Sequence, residues 1–74
     1  MRPQKRSLIL NGHNTSVSLE DLFWEELKNI AKEEELSINQ LVAKIDESRN
    51  FETNGLATEL REFILKHYLK KCRF

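Results

Sequence analysis

The stretch NTSVSLEDLFWEEL (residues 14–27) changes its hydrophobic period at Leu19. Before Leu19, apolar and polar residues alternate, as in a half-buried strand. After it, apolar residues recur every three or four positions, as on an amphipathic helix. A short strand with one polar face therefore leads directly into a helix. Because such a strand is not stable alone, we expect further strands at its edges.

A second strand-like run precedes the dipeptide Asn11-Gly12. Both of these residues tolerate the positive φ of a tight hairpin turn, so we predict antiparallel strands at residues 6–10 and 15–19. Alternate side chains of the two strands would then point to opposite faces of the ribbon. The inner face would carry Leu8, Leu10, Val17 and Leu19, and the outer face would carry Ser7, Ile9, Asn14, Ser16 and Ser18.

Three amphipathic helices are predicted after the hairpin. The first opens at SLED, where Ser18 would be the N-cap and Asp21 its capping-box partner. The second opens at SINQ, where Ser37 and Gln40 have the same spacing. The third is predicted at residues 56–70, after the turn-rich segment RNFETNG. The expected fold is mainly α, with a short β-ribbon made by an N-terminal hairpin and three helices per chain.

Length and composition define the general class of the protein. The chain has 74 residues, a net charge of zero and one cysteine, Cys72. We expect a basic arm at residues 1–5 and one domain at residues 6–74, whose small core favours a homodimer. No nucleophile with a base and no metal-ligand cluster is discernible, so we expect no enzymatic activity, no metal and no cofactor. No apolar run is long enough to cross a membrane, which favours a cytoplasmic protein.

The segment TSVSLEDLFWEELKNIAKEEELSINQLVAKI resembles the ribbon-helix-helix family. The similarity rests on a short strand ending in Leu19, an acidic helix start, an amphipathic helix, and a second helix capped by Ser37. The opening RSLILNGHNTSVSLEDLFWEEL and the segment LREFIL further resemble a subgroup of short bacterial proteins with this domain. The resemblance implies a homodimer whose strands pair across a twofold axis. It also implies a transcriptional regulator that inserts this ribbon into the DNA major groove.

The resemblance assigns roles to individual residues. Asn14, Ser16 and Ser18 would face the bases, and because serine bonds only one base-edge atom, the expected specificity is weak. The implied phosphate contacts are the backbone amides of Ser37, Ile38 and Asn39. Because the start of the first helix carries Glu20 and Asp21, we expect the positive charge that contacts phosphate to come from the side chains of Arg2, Lys5, Arg6 and Lys44. The implied dimer core is Val17, Leu19, Leu22, Phe23, Leu27, Ile30, Ile38, Leu41, Val42 and Ile45.

An alternative from another class stays open. Residues 20–36 carry a net charge of −5, whereas residues 1–19 carry +3. A dimeric adaptor or antitoxin-like module could bind a protein partner through the acidic first helix or the third helix without reading DNA. His13 favours a turn or sheet-packing role over a metal site, and Trp24 favours an interface.

Overall fold

The computed structural model describes residues 2–48 and 55–72, and it begins with a two-stranded antiparallel hairpin. Strands β1 (Gln4–Leu10) and β2 (His13–Leu19) pair in a register that joins Leu10 to His13. The turn residues Asn11 and Gly12 have φ values of 53° and 83°. These left-handed conformations give the turn the twist that suits paired strands. The hairpin that the sequence predicts is therefore confirmed.

The hairpin is longer than the sequence predicts at its open end. The sequence places Gln4 and Lys5 in a basic arm, but in the structure they pair with Leu19 and Ser18. Because β2 continues to Leu19, its last two residues can pair with Lys5 and Gln4, and β1 therefore begins at Gln4. The same pairing corrects the predicted start of the first helix, because Ser18 is in a strand and is not the N-cap.

Three helices follow the hairpin: α1 (Asp21–Glu33), α2 (Ile38–Glu47) and α3 (Leu56–Lys71). Glu20 is the N-cap of α1 and makes no side-chain capping bond. At α2 the predicted capping box is present, with Ser37 and Gln40 bonding each other's backbone N–H groups. The connector RNFETNG lies outside the described residues except for Gly55, the N-cap of α3.

One apolar core joins the inner face of the hairpin to all three helices. Its members are at most 7% exposed: Leu8, Leu10, Val17, Leu19, Leu27, Ile30, Ala31, Leu41, Val42, Ile45, Leu60 and Ile64. Within the described residues, no polar or charged side chain is buried with them. The four inner residues predicted for the hairpin are all in this core, which is already closed in a single chain.

The helices cover the hairpin in a definite arrangement. Helix α2 packs against β1, and α3 packs against β2. Helices α1 and α3 run in the same direction, because Arg61 of α3 bonds Glu20 before α1, while Lys71 near the end of α3 bonds Glu33 at the end of α1. Because the inner side chains of the hairpin pack on the helices and the outer ones are exposed, the outer face points away from the helices.

Candidate nucleic-acid interface

The outer face of the hairpin is a grid of three cross-strand pairs. Lys5 is opposite Ser18, Ser7 is opposite Ser16, and Ile9 is opposite Asn14. All six side chains are exposed. Two adjoining shallow hollows connect members of this grid, since Ser7 and Asn14 line both of them. The predicted base-facing residues Asn14, Ser16 and Ser18 thus share one surface with residues of β1.

The start of α2 adjoins the free edge of β1. The backbone N–H of Ile9 donates to Oδ1 of Asn39 over 3.1 Å. Asn39 also lines one hollow together with Ser7, Ile9 and Asn14. A side chain of α2 therefore ties the first turn of this helix to the ribbon, which blocks part of the edge of β1 to any further strand.

The capping box uses part of the hydrogen-bonding capacity at the start of α2. The N–H of Ser37 donates to Oε1 of Gln40 over 2.8 Å, and the N–H of Gln40 donates to Oγ of Ser37 over 3.1 Å. Of the three amides assigned to phosphate, that of Ser37 is thus already bonded. The N–H groups of Ile38 and Asn39 have no acceptor among the residues that the structure describes. These two donors, at the positive end of the helix dipole, are suited to bind an anion.

Arg6 lies on the inner side of the hairpin and not on its outer face. Its side chain is 18% exposed and forms an ion pair with Asp21. Its Nε also donates to the carbonyl oxygen of Leu19 over 3.3 Å, and its guanidinium lies 5.4 Å from the ring of Trp24. Arg6 therefore joins β1 to the beginning of α1, and the structure separates it from the other proposed phosphate contacts. Trp24 packs on the core beside it.

Arg61 of α3 neutralises the second acidic group at the start of α1. Its Nε and Nη2 donate to Oε1 of Glu20 over 3.0 and 2.8 Å. Hydrogen bonding to Arg61 holds the pKa of Glu20 below its usual value. From the sequence, the acidic groups at this helix start have no basic partner nearby. In the folded chain, Glu20 pairs with Arg61, which is 41 residues away, and Asp21 pairs with Arg6 of the hairpin.

Further polar contacts between α1 and α3 are structural. Glu33 accepts hydrogen bonds from Lys71 and His67, and the bond from Lys71 is the main cause of its lowered pKa. Tyr68 donates to Glu26, which raises the pKa of the tyrosine to about 12. These contacts hold acidic groups of α1 against α3. His67 is part of this helix pairing.

The remaining sequence-predicted contacts are spread over the chain. Arg2 is exposed immediately before β1. Lys44 lies near the end of α2 and lines a groove with Phe63 and Lys66. His13 is exposed beside the turn. Of the four basic side chains assigned to phosphate, only that of Lys5 is therefore placed on the outer face.

Most of the predicted dimer core is buried within one chain. Of the ten residues, Phe23 and Ile38 are partly buried and Leu22 is 57% exposed. Leu22 is in the first turn of α1, at the edge of the apolar stripe, so its side chain does not reach the core. The other seven residues are buried without a partner chain. Apolar periodicity identified burial correctly for them, but burial alone does not distinguish a dimer interface from the core of one chain.

The described part of the chain contains no cluster of three or more potential metal ligands among His, Cys, Asp and Glu. None of its helices is long and apolar enough to cross a membrane.

A two-stranded ribbon with a polar outer face, followed by a capped helix pair, defines a class of small regulatory domains. Residues 3–68 match the model of the ribbon-helix-helix domain, and the chain belongs to that family. This confirms the resemblance and the fold class seen in the sequence. The family is typically one of DNA-binding transcription regulators and is a non-enzymatic fold.

A solved structure of similar fold is that of an uncharacterized protein from Bordetella pertussis Tohama I. The two sequences are 33% identical, and the TM-score is 0.76. The alignment covers 93% of this chain and 58% of the Bordetella protein, so the chain spans little more than half the length of that protein. A comparison with curated proteins gives no match.

Proposed function

We propose that this protein is a homodimeric DNA-binding regulator of transcription that inserts its ribbon into the major groove. The observation that supports this most directly is the outer face of the hairpin, where six exposed side chains project away from the helices. A two-stranded ribbon of this kind is one of the known elements that read the major groove. Such a regulator would act in the cytoplasm, where bacterial DNA lies.

The charges around the ribbon favour a DNA contact of modest affinity. Lys5 lies on the outer face, Arg2 is exposed immediately before β1, and the free amides of Ile38 and Asn39 adjoin the edge of β1. Glu20 and Asp21, which would repel phosphate, each pair with an arginine. Since serines occupy three of the six outer positions, most of the affinity would come from phosphate contacts.

A mobility-shift experiment tests DNA binding. Sheared genomic DNA should shift the protein at low salt, and the affinity should fall steeply as salt is added, because bound counterions are released from the DNA. The double variant Arg2→Ala/Lys5→Ala should bind more weakly and with a shallower salt dependence. Its matched control, Lys32→Ala/Lys70→Ala, removes the same charge from exposed helix positions and should bind like the unmodified protein. If the unmodified protein gives no shift even at low salt, the proposal is wrong.

The homodimer has its own support and its own test. Leu22 on α1 and Leu65 and Leu69 on α3 are 57–59% exposed, which leaves three large apolar side chains that a second chain could cover. The second edge of β2 has no partner strand within the described residues. Sedimentation at micromolar concentration should give a dimer, and a stable folded monomer would contradict the proposal. Leu65→Gln/Leu69→Gln should weaken a dimer joined through the helices and leave one joined through β2 intact.

The same exposed leucines favour a second candidate function. A dimeric adaptor or antitoxin-like module would use α1 or α3 to hold a protein partner and would not read DNA. The regulator is favoured if the protein binds sheared DNA and Arg2→Ala/Lys5→Ala weakens that binding. Under this hypothesis, Leu65→Gln/Leu69→Gln should bind DNA as well as the unmodified protein per folded dimer. The absence of a DNA shift would favour the adaptor.

A further inference from the structure

A groove between α2 and α3 has an apolar floor and basic side chains at its surface. The floor of this α2–α3 groove is made by Leu41 and Ile45 of α2 and by Phe63 of α3. Leu41 and Ile45 also belong to the core, where they are 1% and 6% exposed, and Phe63 is partly buried. Lys44 and Lys66 line the same groove. None of the described residues that line it belongs to the hairpin.

The two lysines of the groove have no carboxylate partner in residues 2–48 and 55–72. Lys44 is in the last turn of α2, and Lys66 is on α3. Both are exposed, and neither forms an ion pair or a side-chain hydrogen bond within the described residues. They differ from other exposed lysines, such as Lys32 and Lys70, because they share an apolar floor. Their ammonium groups are therefore placed to bind an anion whose remaining atoms are apolar.

Two glutamates restrict the kind of anion that suits the groove. Glu34 at the end of α1 and Glu59 in the first turn of α3 also line it. Their carboxylates oppose a second negative charge on the ligand, since like charges repel at short range. A phosphate or another polyanion is therefore disfavoured. One carboxylate beside Lys44 and Lys66 meets two opposite charges and adds only a single negative charge to the groove.

The volume of the groove limits the size of the ligand. It encloses about 350 Å³, which is near the lower end of the range for ligand pockets, roughly 300–1,000 Å³. Such a volume suits one ring or a short chain. The partly buried ring of Phe63 can pack against an aromatic ring of the ligand. A protein partner would need a much larger contact, about 800 Å² on each side.

We propose that the α2–α3 groove binds a small monocarboxylate with an aromatic or aliphatic body. The carboxylate lies beside Lys44 and Lys66, and the apolar body packs on Leu41, Ile45 and Phe63. This assigns Lys44 to a ligand site, whereas the sequence assigns it to DNA phosphate. The contact requires no DNA, so the proposal goes beyond the function above and does not depend on it.

A nuclear magnetic resonance titration of the isotope-labelled full chain tests the proposal. The probes are phenylbutyrate, phenylbutylamine, which has the same body and the opposite charge, and butyrate, which lacks the ring. Phenylbutyrate should bind with a Kd of roughly 1 mM and shift the amide signals of residues 41–48 and 59–66. The amine should bind at least roughly fivefold more weakly, because the lysines repel it. Butyrate should bind roughly tenfold more weakly, because it buries less apolar surface.

A double variant tests the part that the two lysines play. Lys44→Gln/Lys66→Gln should weaken the binding of phenylbutyrate roughly fivefold and should not weaken that of the amine. The matched control Lys32→Gln/Lys70→Gln removes the same charge from exposed positions outside the groove and should bind like the unmodified protein. Because all four lysines are exposed, both variants should fold, and their amide spectra check this.

Several outcomes would overturn the proposal. Equal affinities for the acid and the amine, or a Lys44→Gln/Lys66→Gln variant that binds like the control, would exclude recognition of the carboxylate by the lysines. Shifts confined to residues outside 41–48 and 59–66 would place the ligand elsewhere. If these amides shift on dilution of the protein and phenylbutyrate has no effect, a second copy of the chain covers the groove. Because the titration contains no DNA, its failure leaves the DNA-binding function untested, and a negative mobility shift leaves this proposal standing.

Discussion

The two faces of the hairpin differ in burial although they are built from the same fourteen strand residues. On the inner face, Leu8, Leu10, Val17 and Leu19 are at most 7% exposed. On the outer face, every side chain is exposed and none is needed to close the core. Consecutive residues of each strand therefore lie on different faces and differ in burial. The apolar residues of the inner face stabilise the fold, whereas the residues of the outer face can contact a ligand without a change in the core.

Leu19→Ala and Ser18→Ala give the sharpest test of this difference. Leu19 is completely buried, so its truncation should lower the free energy of unfolding by about 2–5 kcal/mol. Ser18, its neighbour on the outer face, should change stability by less than about 0.5 kcal/mol. Urea unfolding followed by circular dichroism measures both values. Equal losses at the two positions would contradict the separation of the faces.

Arg6→Ala and Lys5→Ala make the same comparison for two basic residues. Arg6 is bonded to Asp21 and to the carbonyl oxygen of Leu19, so its loss should cost about 1–2 kcal/mol of stability. Lys5→Ala should leave stability almost unchanged but reduce the salt dependence of DNA binding by about one counterion. If the two variants exchange these effects, the assignment of the two side chains to opposite faces is wrong.

Gly12→Ala tests the turn that holds the two faces in register. The φ of Gly12 is 83°, and no atom lies close enough to obstruct an added Cβ. The cost therefore comes from backbone strain alone and should be about 1 kcal/mol, visible as a lower midpoint of thermal unfolding. Gly55→Ala is the matched control, since Gly55 has an extended conformation with φ of −73° and equally open surroundings. A similar loss in both variants would show that the turn conformation is not the cause.

Acid should weaken the contacts that Glu20 and Glu33 make with α3. The pKa of Glu20 and that of Glu33 are lowered in the folded state, chiefly by hydrogen bonds from Arg61 and Lys71. Their contribution is therefore present above the unfolded value of 4.5 and is lost as the pH falls through the lower folded value. Stability should be flat between about pH 7 and 5.5 and decline below about pH 4.5. Glu20→Gln/Glu33→Gln should reduce this decline, and an unchanged pH profile would contradict it.

Local patterns predicted much of the fold because they concern residues close together in the chain. Asn11-Gly12 indicated the turn, the alternation at Val17 and Leu19 indicated the inner face, and Ser37 with Gln40 indicated the capping box. The capping box expected at Ser18 failed because a competing interaction, the pairing of Ser18 with Lys5, comes from a strand thirteen residues away. A helix-start motif cannot by itself show that its first residue already belongs to a strand.

The candidate interface was less predictable from sequence than the fold. Arg6 and Lys5 are adjacent basic residues, and composition alone assigned both to phosphate. Alternation along β1, once the strand is known to reach Gln4, places them on opposite faces. The bond between Asn39 and Ile9 joins residues 30 positions apart, and no local motif indicates it. The distant partner of Glu20 was missed for the same reason.

The sequence alone determined the family, the order of the elements, the inner face of the hairpin and the start of α2. These depend on periodicity and on hydrogen bonds between near neighbours, whose geometry the backbone sets locally. Only the tertiary structure decided that the predicted core closes within one chain, that Arg6 points inward, and that α2 adjoins β1. Each of these follows from packing between segments far apart in the chain, and such packing depends on the shape of the whole domain.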